Sequence, residues 1–79
     1  MDKSAHSRDH RRLATLLRQI REDADLRQMD IAKRLNEPQS FVSKYENGER
    51  QLNLPELRHV CKALGIPLTD LIRRFEESV

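Results

Sequence analysis

The stretch Pro38–Arg50, PQSFVSKYENGER, interleaves four polar side chains, Gln39, Ser40, Ser43 and Lys44, with the apolar Phe41, Val42 and Tyr45. It holds the one tyrosine and one of the two phenylalanines. A glutamine amide donates and accepts at once, so it can bridge neighbouring groups of opposite sense, such as N6 and N7 of adenine. A lysine ammonium can reach guanine O6 and N7, or a phosphate. If the stretch is a helix, its first N–H groups and its dipole attract an anion. On periodicity alone the same residues also suit a solvated helix face. The elements around them must decide.

Val42 and Tyr45 share one face of a helix expected over Gln39 to Glu46, and Asn47-Gly48 ends it, glycine being the usual left-handed terminator. Upstream, Met29, Ile31, Ala32 and Leu35 mark a short helix from about Arg27 to Leu35. Asn36-Glu37-Pro38 between them is a tight turn, since Asn accepts positive φ and Pro disfavours helix at the residue before it. Leu13, Leu16, Leu17 and Ile20 recur at i, i+3, i+4 and i+7, a stripe predicting a helix over Arg8 to Asp23. Ala24-Asp25 closes it. Asn53 and Glu56 have the spacing of a capping box, followed by the stripe Leu54, Leu57, Val60, Cys61 and Leu64 and the terminator Gly65. Leu68, Leu71, Ile72 and Phe75 share a face of a last helix over about Leu68 to Glu76.

The expectation is an all-α, compact five-helix bundle: a flexible tail over 1–7 and one domain over 8–79. At its centre lies helix, short turn, helix over about 27–46, the geometry of a helix-turn-helix whose second helix enters a major groove. Ala32 is small where the two helices must approach.

Seventy-nine residues allow one domain with a modest core. No run of about 20 apolar residues exists, and the polar N-terminus lacks a secretory pattern. One cysteine forms no internal disulfide, so a reducing cytoplasm fits best. A net charge of +2 permits a polyanion partner without demanding one. No nucleophile–base pair, paired-acid site or phosphate loop is recognisable, so no enzyme and no cofactor are expected. His6 and His10 have a metal-binding spacing but belong to no constellation of Cys or carboxylate ligands, so no metal site is expected. His59 falls on the outer side of its helix. Cys61, on an inner stripe, reads as a small buried hydrophobe.

The run QMDIAKRLNEPQSFVSKYENGERQLNLPELRHVCKALGI resembles the Cro and phage-repressor type of helix-turn-helix, the XRE family, with the likeness spanning Leu13 to Phe75. The resemblance implies a lambda-repressor-like fold that binds operator DNA, commonly as a symmetric dimer, in the cytoplasm and at the nucleoid. Position by position it implies that Gln28 binds a phosphate and buttresses the reading helix. Gln39 and Ser40 match base-edge readers, and Ser43 and Lys44 match a second layer. Phe41 matches a contact to a thymine methyl or the sugar-phosphate wall. Asn47 and Arg50 sit where the following loop meets the DNA backbone. Arg21 and Glu46 match an interhelical ion pair, buried or half-buried.

The chain departs from the pattern in four places. Arg27 replaces the Ser or Thr that caps the second helix, which removes a cap worth about 1 kcal/mol but sets a cation beside the expected phosphate. Asp25 and Asn36 stand where glycine is usual. Glu37 and Glu49 put negative charge on the DNA-facing side and argue for selectivity over general adhesion.

The expected partners are double-stranded DNA and a second copy, through the face of Leu68, Leu71, Ile72 and Phe75. Arg8, Arg11 and Arg12 read either as a solvated helix start or as an arm touching phosphate. The expected function is a sequence-specific transcriptional regulator, a repressor on a palindromic operator. The rival is a protein-interaction module or antitoxin-like partner binder built on the same fold.

Overall fold

The computed structural model describes the backbone of residues 3–78 and the side chains of residues 8–78. Five helices follow one another: α1 Lys3–Asp23, α2 Gln28–Leu35, α3 Gln39–Glu46, α4 Leu54–Leu64 and α5 Leu68–Glu77. There is no strand among the described residues. The all-α five-helix class expected from the sequence is the class observed.

One chemical device ends four of the helices. Asp25, Asn36, Gly48 and Gly65 each take a positive φ just past a helix end. The next residue then donates back to the carbonyl five residues earlier: Leu26 to Arg21 at 3.1 Å, Glu37 to Ala32 at 2.9 Å, Glu49 to Lys44 at 2.9 Å and Ile66 to Cys61 at 3.0 Å. This Schellman bond satisfies a carbonyl that the helix itself leaves open. Asp25 and Asn36 perform it at φ 60° and 56°, so the two missing glycines cost strain but not the turn.

The helix starts differ. Asn53 and Glu56 form the expected capping box: the Asn53 side chain accepts from the Glu56 N–H at 2.8 Å, and the Glu56 carboxylate accepts from the Asn53 N–H at 3.0 Å. At α2 the Arg27 side chain offers no acceptor, but half of a box survives, because the Asp30 carboxylate accepts from the Arg27 N–H at 2.8 Å. At α1 the helix reaches back to Lys3, so residues 3–7 are helical rather than a tail. No Pro or Gly interrupts that run, and a nucleated helix gains one bond per added residue. Met1 and Asp2 lie outside the described residues.

α2 packs on α3 and α4, α1 packs on α3 and α5, and α4 packs on α5. Ile31 and Val42 are fully buried where the two central helices meet, with Ala32 beside them. Three stripe residues need correction. Met29 and Leu54 lie exposed, because each sits in the first turn of its helix, ahead of the neighbouring helix. Leu71, expected on a face for a second copy, is 1% exposed inside its own core, while Ile72 stands open at 48%. Two arginines fasten helix ends, as a cation near a C-terminal carbonyl should. Arg34 donates to the Ala63 carbonyl at 2.7 Å, tying α2 to the end of α4. Arg12 donates to the Phe75 carbonyl at 2.9 Å and lies 4.4 Å over the Phe75 ring, tying α1 to α5.

Truncating Leu71 to Ala should therefore cost about 2–5 kcal/mol by urea unfolding, the usual penalty for emptying a packed core site. A cost within about 0.5 kcal/mol, as expected of a surface site, would place Leu71 outside the core.

Candidate nucleic-acid interface

α3 lies across the molecule with Val42, Tyr45 and Glu46 buried beneath it. At about 100° per residue, Ser40, Ser43, Lys44 and Asn47 form the opposite arc, with Gln39 at one margin and Phe41 at the other. Gln39, Ser40, Lys44 and Asn47 are exposed and Ser43 is half-buried. The Ser43 hydroxyl donates back to the Ser40 carbonyl at 3.3 Å. The Lys44 ammonium and Ser40 hydroxyl have no partner among the described residues.

Beneath this arc runs a chain of hydrogen bonds with a fixed sense. Arg21 on α1 grips Glu46 on α3 with two bonds, Nε to Oε2 at 2.6 Å and Nη2 to Oε1 at 3.0 Å. Both side chains are buried, and Arg21 also donates to the Leu26 carbonyl at 2.8 Å. The hydrogen bond to Glu46 raises the Arg21 pKa further, so the guanidinium stays charged. An ionised carboxylate only accepts. The amide nitrogen of Gln28 must therefore face Glu46, and it does, at 2.9 Å. Gln28 Oε1 is left pointing outward, and the Gln39 amide donates to it at 3.3 Å. Among the described residues Gln39 keeps one N–H and its Oε1 open, a donor and an acceptor side by side.

The other predicted residues are held within the protein. Phe41 is half-buried, edge-on to Tyr45 with ring centroids 5.8 Å apart, and the Arg50 guanidinium lies 4.8 Å over its ring. Arg50 also pairs with Glu56. The Asn47 amide donates to Glu49 at 3.3 Å, and its Oδ1 accepts the Glu49 N–H at 3.0 Å. Arg27 is exposed and pairs with Asp30 at 3.1 Å. Two partners escaped the sequence reading. His10 meets the Gly48 carbonyl at 3.0 Å, bracing α1 against the loop after α3. That contact spans 38 residues and leaves no local pattern. The Arg27–Asp30 pair does have a visible spacing, i and i+3.

Arg8, Arg11 and Arg12 border a groove of about 440 Å³ with Leu16 and Gln19. At about 100° per residue Arg8 and Arg12 fall on the side of α1 opposite His10, Ala14 and Arg21, the side that meets α3, and Arg11 falls on the flank between. Cys61 is buried, and burial pushes its thiol up to about 11. His59 is exposed. The His6 side chain lies outside the described residues. Among the described residues no group of His, Cys, Asp and Glu could hold a metal, and no helix is long and apolar enough to cross a membrane.

Comparison with known proteins agrees with this architecture. A family model described as a helix-turn-helix domain matches residues 12–75. An XRE-family like protein from Pseudomonas syringae pv. tomato str. DC3000 is 36% identical, with a TM-score of 0.89 over 98% of this chain and 94% of that one. The chain belongs to the XRE-type helix-turn-helix family, a class of DNA-binding regulators. Control protein C.MunI from Mycoplasma sp is 31% identical over 85% of this chain and 92% of that protein. The restriction-modification controller protein C.Esp1396I, solved as a tetramer with its natural 35 base-pair operator, shares the fold at 19% identity and a TM-score of 0.82, over 87% of this chain and 91% of that one.

In this helix-turn-helix protein Glu46 serves Arg21 and Gln28 together, so removing it strands a buried cation. Glu46→Ala should cost about 3–5 kcal/mol in urea unfolding followed by far-UV circular dichroism. That is a large part of the roughly 4–12 kcal/mol expected of a domain this size. A loss below about 1 kcal/mol, typical of an exposed pair, would contradict the buried pairing.

Proposed function

We propose that this chain is a sequence-specific double-stranded DNA-binding transcriptional regulator, a repressor acting as a homodimer on a palindromic operator. α3 is its reading helix. The observation that carries the proposal is the preset Gln39 amide: its free donor and acceptor match the N7 acceptor and N6 donor that adenine shows in the major groove. Ser40 and Lys44 lie on the same open arc, where Ser40 meets a base edge and Lys44 a guanine or phosphate. Gln28, at the first turn of α2, combines a backbone phosphate contact with its bond to Gln39. Ser43, Asn47, Arg50 and Arg27 flank this arc as second-layer and backbone contacts, and Phe41 supports it from the rim. The operator complex of C.Esp1396I, a protein of the same fold, supports the reading.

The dimer face is narrower than the four-residue set of the sequence reading. Ile72 is its open centre, with Leu68 and Phe75 half-buried beside it. A two-fold pairing would place two copies of α3 about 34 Å apart, one DNA turn.

Gln39→Ala should relax preference at one operator position in each half-site, read by selecting bound DNA from a random pool. Unchanged preference would remove Gln39 from base reading. Lys44→Ala should weaken binding, and if Lys44 meets phosphate it should lower the slope of log affinity against log salt by about 0.9 without changing preference. A mobility shift absent even at low salt would overturn the DNA reading and favour a protein-binding module. Ile72→Asp should convert a dimer to a folded monomer by sedimentation velocity; a persistent dimer would place the interface elsewhere.

A further inference from the structure

Two of the cations and one of the amides on the proposed DNA face are already occupied, each by a carboxylate of this chain. Arg27 holds Asp30 through Nη2 to Oδ1 at 3.1 Å and Nε to Oδ2 at 3.3 Å. Arg50 holds Glu56. The Asn47 amide holds Glu49 at 3.3 Å. The three donors flank α3: one stands before the first turn of α2, and two lie in the loop after α3. Lys44 and Ser40, which have no partner among the described residues, lie on the reading arc between them.

We infer that Asp30, Glu49 and Glu56 act as built-in substitutes for DNA phosphate and set the ratio of operator binding to non-specific binding. Resting on the DNA-binding reading above, this assigns a specificity role to three acids that no base contact requires. A carboxylate and a phosphate oxygen offer a guanidinium the same kind of acceptor. DNA that meets Arg27 or Arg50 must therefore displace a carboxylate, which then takes up a solvent cation. The counterion released from DNA is balanced by the one acquired, and that contact yields little of the counterion-release drive behind non-specific adhesion. Only a duplex seated deeply enough for Gln39 and Lys44 to reach base edges gains contacts that offset the exchange. The charges agree with the geometry. Hydrogen bonding from Arg27 holds the Asp30 carboxyl down to about 2, so it is ionised wherever DNA would be bound. Glu56 is also lowered, first by the Asn53 N–H and then by Arg50.

The amide variants separate this role from helix capping. Asp30→Asn and Glu56→Gln each keep an oxygen for the backbone N–H they cap and lose the charge that holds the arginine. Glu49→Gln touches no cap. Binding is read by fluorescence anisotropy on a random-sequence duplex and on the selected operator across a salt series. Asp30→Asn and Glu56→Gln should each steepen the salt slope by about 0.9. Random-duplex binding should tighten several-fold, so the operator-to-random ratio falls. Adding Arg27→Ala to Asp30→Asn should abolish that variant's gain. Glu49→Gln should tighten random-duplex binding with a smaller change in slope, since it removes a negative charge beside the DNA face but releases no cation. Variants that fold and keep the wild-type slope and ratio overturn the inference and leave the DNA reading intact. A wild-type protein that binds neither duplex overturns both.

Discussion

The buried Arg21–Glu46 pair is the constraint on which the rest of the site depends. Its value is directional more than energetic, since a buried pair often does little better than an apolar one of the same size. Arg21 can only donate and ionised Glu46 can only accept. That asymmetry passes outward, one hydrogen bond at a time, through Gln28 to Gln39. Each amide is turned so that its nitrogen faces inward, and the surface glutamine presents an acceptor beside its remaining donor. A free glutamine would sample both amide orientations and lose rotamer entropy on binding. Here the core has already made the selection.

The same pair fixes the end of α3 against α1, and His10 fixes the loop that follows. Arg34 and Arg12 fasten the ends of α4 and α5. The total of 15 Lys and Arg thus overstates how many cations are free to meet a polyanion. Several arginines are structural, spent on carbonyls, a phenylalanine ring and carboxylates. The face that remains is sparse in free charge and rich in oriented hydrogen-bonding groups, a composition suited to discrimination more than to adhesion.

Much of this was legible in the sequence. The stripes of α1, α3, α4 and α5, the Asn53–Glu56 box, and the turns at Asp25, Asn36, Gly48 and Gly65 all have local causes, and local patterns record them. The Arg21–Glu46 pair was legible through resemblance alone. The misses share a physical origin. Leu71 and Ile72 are adjacent on an amphipathic helix, and periodicity does not say which one the neighbouring helix covers. The capture of Arg12 by the end of α5 and of His10 by the loop after α3 depends on tertiary approach. Residues 3–7 joined α1 because helix propagation needs only the absence of a breaker. Arg50 was legible as a loop cation but not as a partner of Phe41 and Glu56, which the turn brings to it.

The central claim is that Gln28 sets the amide of Gln39 for base recognition. A double-mutant cycle on operator affinity, with Gln28→Ala, Gln39→Ala and the double variant, measures that coupling directly. The account predicts that the two single variants lose discrimination at the same operator position, and that the double variant loses little more than either alone. Additive losses, or losses at different operator positions, would contradict it.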